Sequence, residues 1–249
     1  MGLDVVDTVK STFGSLNTAT GLKVIGLLFV VQLVNMLGSM AYTAGTAAAI
    51  VGALATVLAV VASLIVMVGA LRSFNSGAFR KEQYMENLFW PVTRTFGANA
   101  VTSLFAYGLG LVAALPAIAA GLLTGAGLGG SVTATVLGVT GLVLGIAVLL
   151  YVLLTLIISV PMIATGDRRM FEALDLSVQR TSGEKKPLFL SLLPLGALYL
   201  AAVAVLVALA PAQGTFEPVF GAVSALVSSI VAAAFLSLLT EYDQRLPEA

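Results

Sequence analysis

Long uncharged runs of apolar residues alternate with short polar segments along the whole chain. About 20 apolar residues suffice to cross the ~30 Å hydrocarbon core of a bilayer as a helix. The runs lack the two-residue alternation of strands, which favours helices over a closed barrel. The pattern predicts an all-α polytopic membrane bundle forming a single domain over residues 1–249. Its six predicted transmembrane helices cover about residues 21–42, 47–71, 96–123, 132–164, 188–210 and 219–240.

Three polar segments each place apolar residues on one face of a helix. They cover about residues 4–16, 80–92 and 168–181. Helices of this kind lie in the membrane interface with the apolar face toward the acyl chains. We therefore expect three interfacial helices, each ahead of a pair of spans. We also expect the first apolar run to be retained, because it is too long for the apolar region of a signal peptide.

Two of these segments resemble each other at an offset of 86 residues. The first reads YMENLFWPVTRTFG from Tyr84 and the second reads MFEALDLSVQRTSG from Met170. The shared residues are Glu86 and Glu172, Leu88 and Leu174, Val92 and Val178, Arg94 and Arg180, Thr95 and Thr181, and Gly97 and Gly183. The match suggests a threefold repeat of an interfacial helix followed by a hairpin of spans, with the N-terminal helix as a degenerate copy. The alternative is that any loop entering a span is amphipathic and bears an arginine.

The basic residues fall on one side of the predicted topology. They are Lys10, Lys23, Arg72, Arg80, Lys81, Arg94, Arg168, Arg169, Arg180, Lys185, Lys186 and Arg245. The loops of the other side carry Glu217 as their only charge. Short loops rich in Lys and Arg remain in the cytoplasm. The pattern predicts a multi-pass protein of the cell membrane with both termini in the cytoplasm.

Composition narrows the chemistry further. Charged residues make up 10% of the chain, the net charge is zero, and there is neither cysteine nor histidine. Disulfides, thiolate metal sites and histidine-based catalysis are therefore excluded. The acidic residues fall in solvated segments without a nucleophile or metal set beside them. We expect a protein that is not an enzyme, that needs no cofactor or metal and that binds no nucleic acid.

The spans themselves contain few polar side chains, and no ionisable residue lies near the centre of one. This argues against a proton-coupled transporter, an ion pump or a charged pore. Gln32 and Asn35 lie three residues apart on one face of the first span. They are candidate intramembrane polar contacts, either with a substrate or as an interhelical hydrogen bond.

Small residues and prolines mark several spans. Gly141 and Gly145 form one GxxxG motif, and a second joins two glycines at the end of the third span. Such motifs allow close helix approach, within the chain or in a homo-oligomer. Pro116 and Pro194 each remove a backbone donor and are expected to kink their helices.

The basic side chains beside the spans are candidate contacts for anionic lipid headgroups. The set comprises Arg94, Arg180, Arg168, Arg169, Lys185 and Lys186. Arg94 and Arg180 form the best pair because they occupy equivalent positions of the repeat. The alternative is that these residues fix the topology and form local ion pairs.

The run MVGALRSF and the phrase FEALDLSVQRTSG after the span that ends near Pro161 resemble a known group of membrane domains. The chain is similar to the membrane domain found with some glycerophosphodiester phosphodiesterases, and to uncharacterised six-span proteins of bacteria and archaea. The resemblance covers about residues 20–240. It implies six helices and no established chemistry, and the phosphodiesterase activity does not carry over because that domain is not in this sequence. The Ala-, Val- and Gly-rich composition suits an archaeal source.

Together these features predict a non-enzymatic membrane protein, either a lipid-associated scaffold or an accessory subunit of a membrane assembly. Its partners would be membrane lipids, together with another membrane protein or further copies of itself. The alternative is a carrier or flippase for a lipid or small neutral solute. A cavity lined by Gln32, Asn35 or the proline kinks would favour the carrier, whereas a tightly packed centre would favour the scaffold.

Overall fold

The computed structural model describes residues 4–42, 46–125, 131–166, 168–209 and 217–246. Every regular element within these residues is helical. The helices are α1 (Val5–Leu16), α2 (Ala19–Tyr42), α3 (Thr46–Ser76), α4 (Glu82–Met85), α5 (Phe89–Ala113), α6 (Leu115–Gly125), α7 (Ser131–Leu156), α8 (Ser159–Gly166), α9 (Met170–Thr181), α10 (Lys185–Leu209) and α11 (Glu217–Arg245).

Six helical segments are long and apolar enough to cross a membrane. They are Ala19–Ala41, Ala48–Ser76, Phe89–Ala113, Ala134–Gly166, Lys185–Ala204 and Phe220–Arg245. The predicted all-α polytopic bundle with six spans is therefore confirmed. By chain order, all twelve Lys and Arg residues belong to the end of the bundle where α1 precedes the first span and α4 and α9 connect later spans. We call it the charged end.

Two of the spans are interrupted close to a proline. The third breaks at Ala114, between α5 and α6, two residues before Pro116. The fourth breaks after Leu156 and resumes as α8, with Pro161 in its first turn. Proline suits a first helical turn because the N–H that it lacks would have no partner there. Pro194, in contrast, lies inside the continuous helix α10.

The interfacial segments differ from one another. α1 and α9 are continuous helices of 12 residues each, close to the predicted bounds. The segment predicted as one helix over about residues 80–92 is instead the short α4, an extended Glu86, and Asn87 with a φ of 48°. Asparagine tolerates this left-handed conformation better than most residues. The chain therefore turns before α5 begins at Phe89.

Because of this break, the two segments that share a sequence pattern differ in structure. Glu172 lies in the first turn of α9, whereas its match Glu86 is extended. A closer structural parallel joins α1 and α9, whose buried residues recur at every fourth position. They are Thr8, Thr12 and Leu16 in α1, and Ala173, Ser177 and Thr181 in α9, where the adjacent Leu174 is buried as well.

The short helix α4 is held against α3 by a tyrosine. The Tyr84 ring packs directly on Gly69, where a Cβ atom would collide with it. The Ser73 hydroxyl lies 2.7 Å from Gln83 Oε1 and 3.1 Å from the Tyr84 hydroxyl. Burial raises the pKa of the Tyr84 phenol above its ordinary value of 10.0, and the hydrogen bond with Ser73 partly offsets this rise. The connection into the third span is thus anchored to the second.

The last helix, α11, is the most enclosed of the six spans. It packs against α1, α2, α3, α8 and α10. The half of α11 nearer the charged end contains the fully buried residues Ala233, Leu238 and Tyr242. The main hydrophobic core therefore forms around this half of α11, with Leu71 and Ile163 from neighbouring helices.

On the other side of the bundle, α7 packs closely on α5 and α6 through glycines. Gly141 lies against the backbone of Ala117. A Cβ atom on Gly145 would come within 3.3 Å of both the Ala114 Cβ and the Gly110 carbonyl oxygen. This GxxxG motif therefore serves packing within the chain. Gly138, one turn away, faces open space.

We predict that Gly141→Leu destabilises the protein by about 3 kcal/mol or more, because the side chain would overlap the α6 backbone. Gly138→Leu is the matched control on the same helix and should change the free energy of unfolding by less than about 0.5 kcal/mol. Reversible unfolding in mixed micelles measures both. Equal destabilisation by the two variants would contradict the assigned α6–α7 packing.

Candidate functional site

A cavity of about 440 Å³ lies between the spans. Residues of α2, α3, α5, α7, α8 and α11, with the residue linking α7 to α8, form its wall. They are Leu28, Val31, Gln32, Ser63, Met67, Asn99, Thr102, Ser103, Leu153, Leu156, Ile157, Val160, Ala232, Phe235, Leu236 and Leu239. The volume falls within the range of roughly 300–1,000 Å³ that is usual for small-molecule sites.

The cavity lies deep within the spans. Gln32, Ser63 and Thr102 are each roughly 20 Å along the helix axis from the charged end of their helix, at 1.5 Å per residue. The hydrocarbon core of a bilayer is about 30 Å thick. The polar part of the wall therefore lies near mid-membrane depth, where the surrounding lipid chains supply no hydrogen bonds.

The wall combines two kinds of surface. Its five polar residues all come from α2, α3 and α5, and none of the residues forming the wall is ionisable. The residues of α7, α8 and α11 that complete it are all apolar. A predominantly apolar pocket with a few convergent polar groups is typical of ligand sites.

Thr102 supplies the clearest sign of a missing partner. It is only 8% exposed, and its Oγ1 has no hydrogen-bond partner within the described part of the chain. Hydroxyls in neighbouring spans bond the carbonyl four residues earlier, as Thr56 does at 2.9 Å and Thr155 at 2.7 Å. An unsatisfied buried hydroxyl costs about 1–3 kcal/mol. A polar ligand in the cavity would remove this cost.

The two amides singled out from the sequence occupy different environments. Gln32 lines the cavity. Asn35 is exposed and is not part of the wall, although it lies only one turn further along α2. Neither Pro116 nor Pro194 lines the cavity either. Of the candidate intramembrane contacts, the structure therefore brings only Gln32 to this site.

Sequence reasoning missed the polar residues of the third span. Asn99, Thr102 and Ser103 follow the i, i+3, i+4 spacing, so they form one polar stripe within the apolar part of the span. That stripe is visible in the sequence and could have identified this face. Ser63 gives no comparable signal, because it is a single hydroxyl in a long apolar run.

At the charged end, Arg180 is enclosed by protein partners. Its guanidinium pairs with the Asp243 carboxylate at 2.8 Å and also donates to the carbonyls of Asp243 and Leu246, at 2.6 and 2.7 Å. The two side chains are 12% and 18% exposed. Arg180 therefore joins the end of α9 to the end of α11.

The other candidate headgroup contacts have separate surroundings. Arg94 donates to the Arg168 carbonyl at 3.4 Å and stacks on Trp90. Arg168 forms an exposed pair with Glu172 at 3.5 Å. Lys185 donates to the Tyr151 hydroxyl at 2.7 Å.

The remaining two basic residues of the set, Arg169 and Lys186, are exposed. The six candidates thus differ widely in accessibility. Their contact with lipid headgroups remains a prediction.

Arg72, which the sequence did not single out, shares a role with Arg180. Its Nε donates to the Ala164 carbonyl at 2.9 Å, near the end of α8, and its NH1 donates to the Glu86 carbonyl at 3.2 Å. The last carbonyls of a helix lack intrahelical partners and carry partial negative charge. Arginines of the charged end satisfy such carbonyls on α8 and α11.

No family model matches the chain, and comparison with curated proteins and with solved structures found no match. The resemblance to the membrane domain of glycerophosphodiester phosphodiesterases therefore remains a prediction.

We predict that Arg180→Leu lowers the free energy of unfolding by about 3–5 kcal/mol, because it leaves the largely buried Asp243 carboxylate without its partner. Arg168→Leu removes an exposed pair and should cost less than about 1 kcal/mol. Denaturant titration in mixed micelles would measure both. Similar losses in the two variants would show that the Arg180–Asp243 pair does not join α9 to α11 as described.

Proposed function

We propose that this protein is a non-enzymatic carrier that binds a lipid or small neutral solute in the cavity between its spans. The observation that carries the proposal is the buried hydroxyl of Thr102 in the wall of that cavity, which has no hydrogen-bond partner among the described residues. Gln32 and Asn99 add two amides to the same wall. Polar groups at this depth are costly without partners, which supports a polar ligand as the missing partner.

None of the described residues that form the cavity wall is ionisable, which supports a neutral substrate. An ionised group in a site without a counter-charge would carry a desolvation penalty of several kcal/mol. Carriers coupled to protons or ions also place carboxylates or other charged groups along their path. We therefore propose a carrier whose substrate moves down its own concentration gradient.

The scaffold and accessory-subunit hypothesis remains a prediction. A tightly packed centre would have supported it, and a cavity lined by Gln32 supports the carrier. Gly141 and Gly145 of α7 are engaged in packing within the chain, so this motif offers no support for a homo-oligomer. The proposed carrier would have membrane lipids as its surroundings, and contact with another membrane protein is a separate hypothesis.

The proposal places the protein in the cell membrane with the charged end and both termini in the cytoplasm. The distribution of the twelve basic residues supports this orientation. A charged end in the cytoplasm would put the cavity about halfway across the bilayer.

The orientation can be tested with single cysteines, because the natural chain has none. Thr124→Cys and Ser182→Cys should react with a membrane-impermeant maleimide from opposite sides of the membrane. Ser182→Cys should react only after the membrane is opened. Labelling of both variants in intact cells would contradict the proposed topology.

The carrier proposal predicts that a small molecule accompanies the protein from its native membrane and depends on Gln32. Solvent extraction and mass spectrometry of the purified protein would identify and quantify it. Gln32→Leu should lower its amount about tenfold, which corresponds to the loss of one good buried hydrogen bond. Asn35→Leu is the matched control and should retain the wild-type amount, because Asn35 lies outside the cavity.

Uptake of the extracted compound into proteoliposomes then tests carriage. Wild-type protein and Asn35→Leu should accelerate uptake over empty vesicles, and Gln32→Leu should not. An empty wild-type protein, or equal retention by both variants, would overturn the proposal.

A further inference from the structure

The two walls of the cavity differ in a way that constrains the shape of its ligand. All five polar residues belong to α2, α3 and α5, whereas α7, α8 and α11 present hydrocarbon alone. A ligand that fills this space must therefore be amphipathic. A purely apolar ligand would leave the Thr102 hydroxyl without a hydrogen bond. A fully polar ligand would place polar groups against the apolar wall, where they find no partners.

The polar groups define the head of such a ligand. Thr102 carries a hydroxyl that both donates and accepts, and Gln32 and Asn99 each carry an amide with two donors and an acceptor. A hydroxyl or an amide can complement such a mixed set in both directions. A carboxylate or phosphate accepts only and would be buried without a cation, since no basic side chain belongs to the wall.

The volume limits the size of the ligand. A water-sized group occupies about 30 Å³, so 440 Å³ holds on the order of 15 non-hydrogen atoms. This volume suits one hydrocarbon chain of about a dozen carbons with a small head.

On these grounds, and resting on the proposed carrier function, we infer that the ligand is an uncharged single-chain amphiphile with a hydroxyl or amide head. The head bonds Thr102 and the amides of Gln32 and Asn99. The chain lies against Leu153, Phe235 and their neighbours in the apolar wall.

The test uses the full chain in lipid nanodiscs and a twelve-carbon primary alcohol with a photoreactive diazirine near its far end. Mass spectrometry of the irradiated protein should find the probe on wall residues of α7 or α11. Excess 1-dodecanol should reduce this labelling at least about fivefold. The experiment is run at about pH 9, where dodecanoate is ionised. Dodecane, which lacks a polar head, and dodecanoate should each reduce the labelling less than about twofold.

Variants on α5 provide an internal comparison. Thr102→Val should lower labelling of the cavity about tenfold, because it removes one buried hydrogen bond to the head. Thr102→Ser should restore it. Thr95→Val is the matched control, since the Thr95 hydroxyl is equally buried and unpartnered in the described chain but lies two turns away, outside the cavity wall.

The possible results separate the two proposals. The inferred ligand class would be overturned if dodecane or dodecanoate competed as well as 1-dodecanol. It would also be overturned if Thr102→Val and Thr95→Val lost labelling equally. In either case a native ligand extracted with the protein would still support the carrier. If the alcohol labels no wall residue and the purified protein carries no extracted ligand, both proposals fail. Fold is monitored in every variant by monodisperse elution from the size-exclusion column.

Discussion

A bilayer interior offers polar groups no water, so each one must find its partner within the protein or in a bound molecule. Most of the structure follows this constraint. Thr155 bonds the carbonyl four residues earlier in its own helix, as do other hydroxyls within the spans. At the charged end, Arg72 and Arg180 supply the hydrogen bonds that the last carbonyls of α8 and α11 lack. Among the described residues, two buried hydroxyls depart from this rule, those of Thr95 and Thr102, and of the two only Thr102 lines the cavity.

The same constraint explains why α11 is the organising helix. Its charged end gathers partners from four other elements: the Glu241 carboxylate accepts from Ser11 of α1, Asp243 pairs with Arg180 of α9, Gln244 donates to Asn75 of α3, and the Tyr242 hydroxyl bonds to Ser191 of α10. A polar network at the charged end fixes the helices relative to one another without placing charge in the hydrocarbon. The apolar core packs beside this network, and the cavity lies deeper between the spans.

The spans could be predicted from the sequence because hydrophobic length is a strong signal. Local geometry could not. The apolar face of the segment over about residues 80–92 suggested a second interfacial helix, yet the chain turns at Asn87, close to the contact of Tyr84 with Gly69. That contact joins residues of two helices, and no periodicity along the chain encodes it. The proline at 116 did mark a break, since a missing N–H acts locally.

The site shows the same division between local and tertiary information. Gln32 and Asn35 look equivalent along the sequence, because both are amides on neighbouring turns of one apolar helix. Only the packing of α3 and α11 on α2, with α5 also contributing to the wall, makes one of them part of a cavity and leaves the other exposed. The polar stripe of α5 carried more information than either amide alone, since Asn99 and Thr102 repeat with the helical period. In an apolar span, a periodic set of uncharged polar residues is therefore a better guide to an intramembrane site than the most polar single residue.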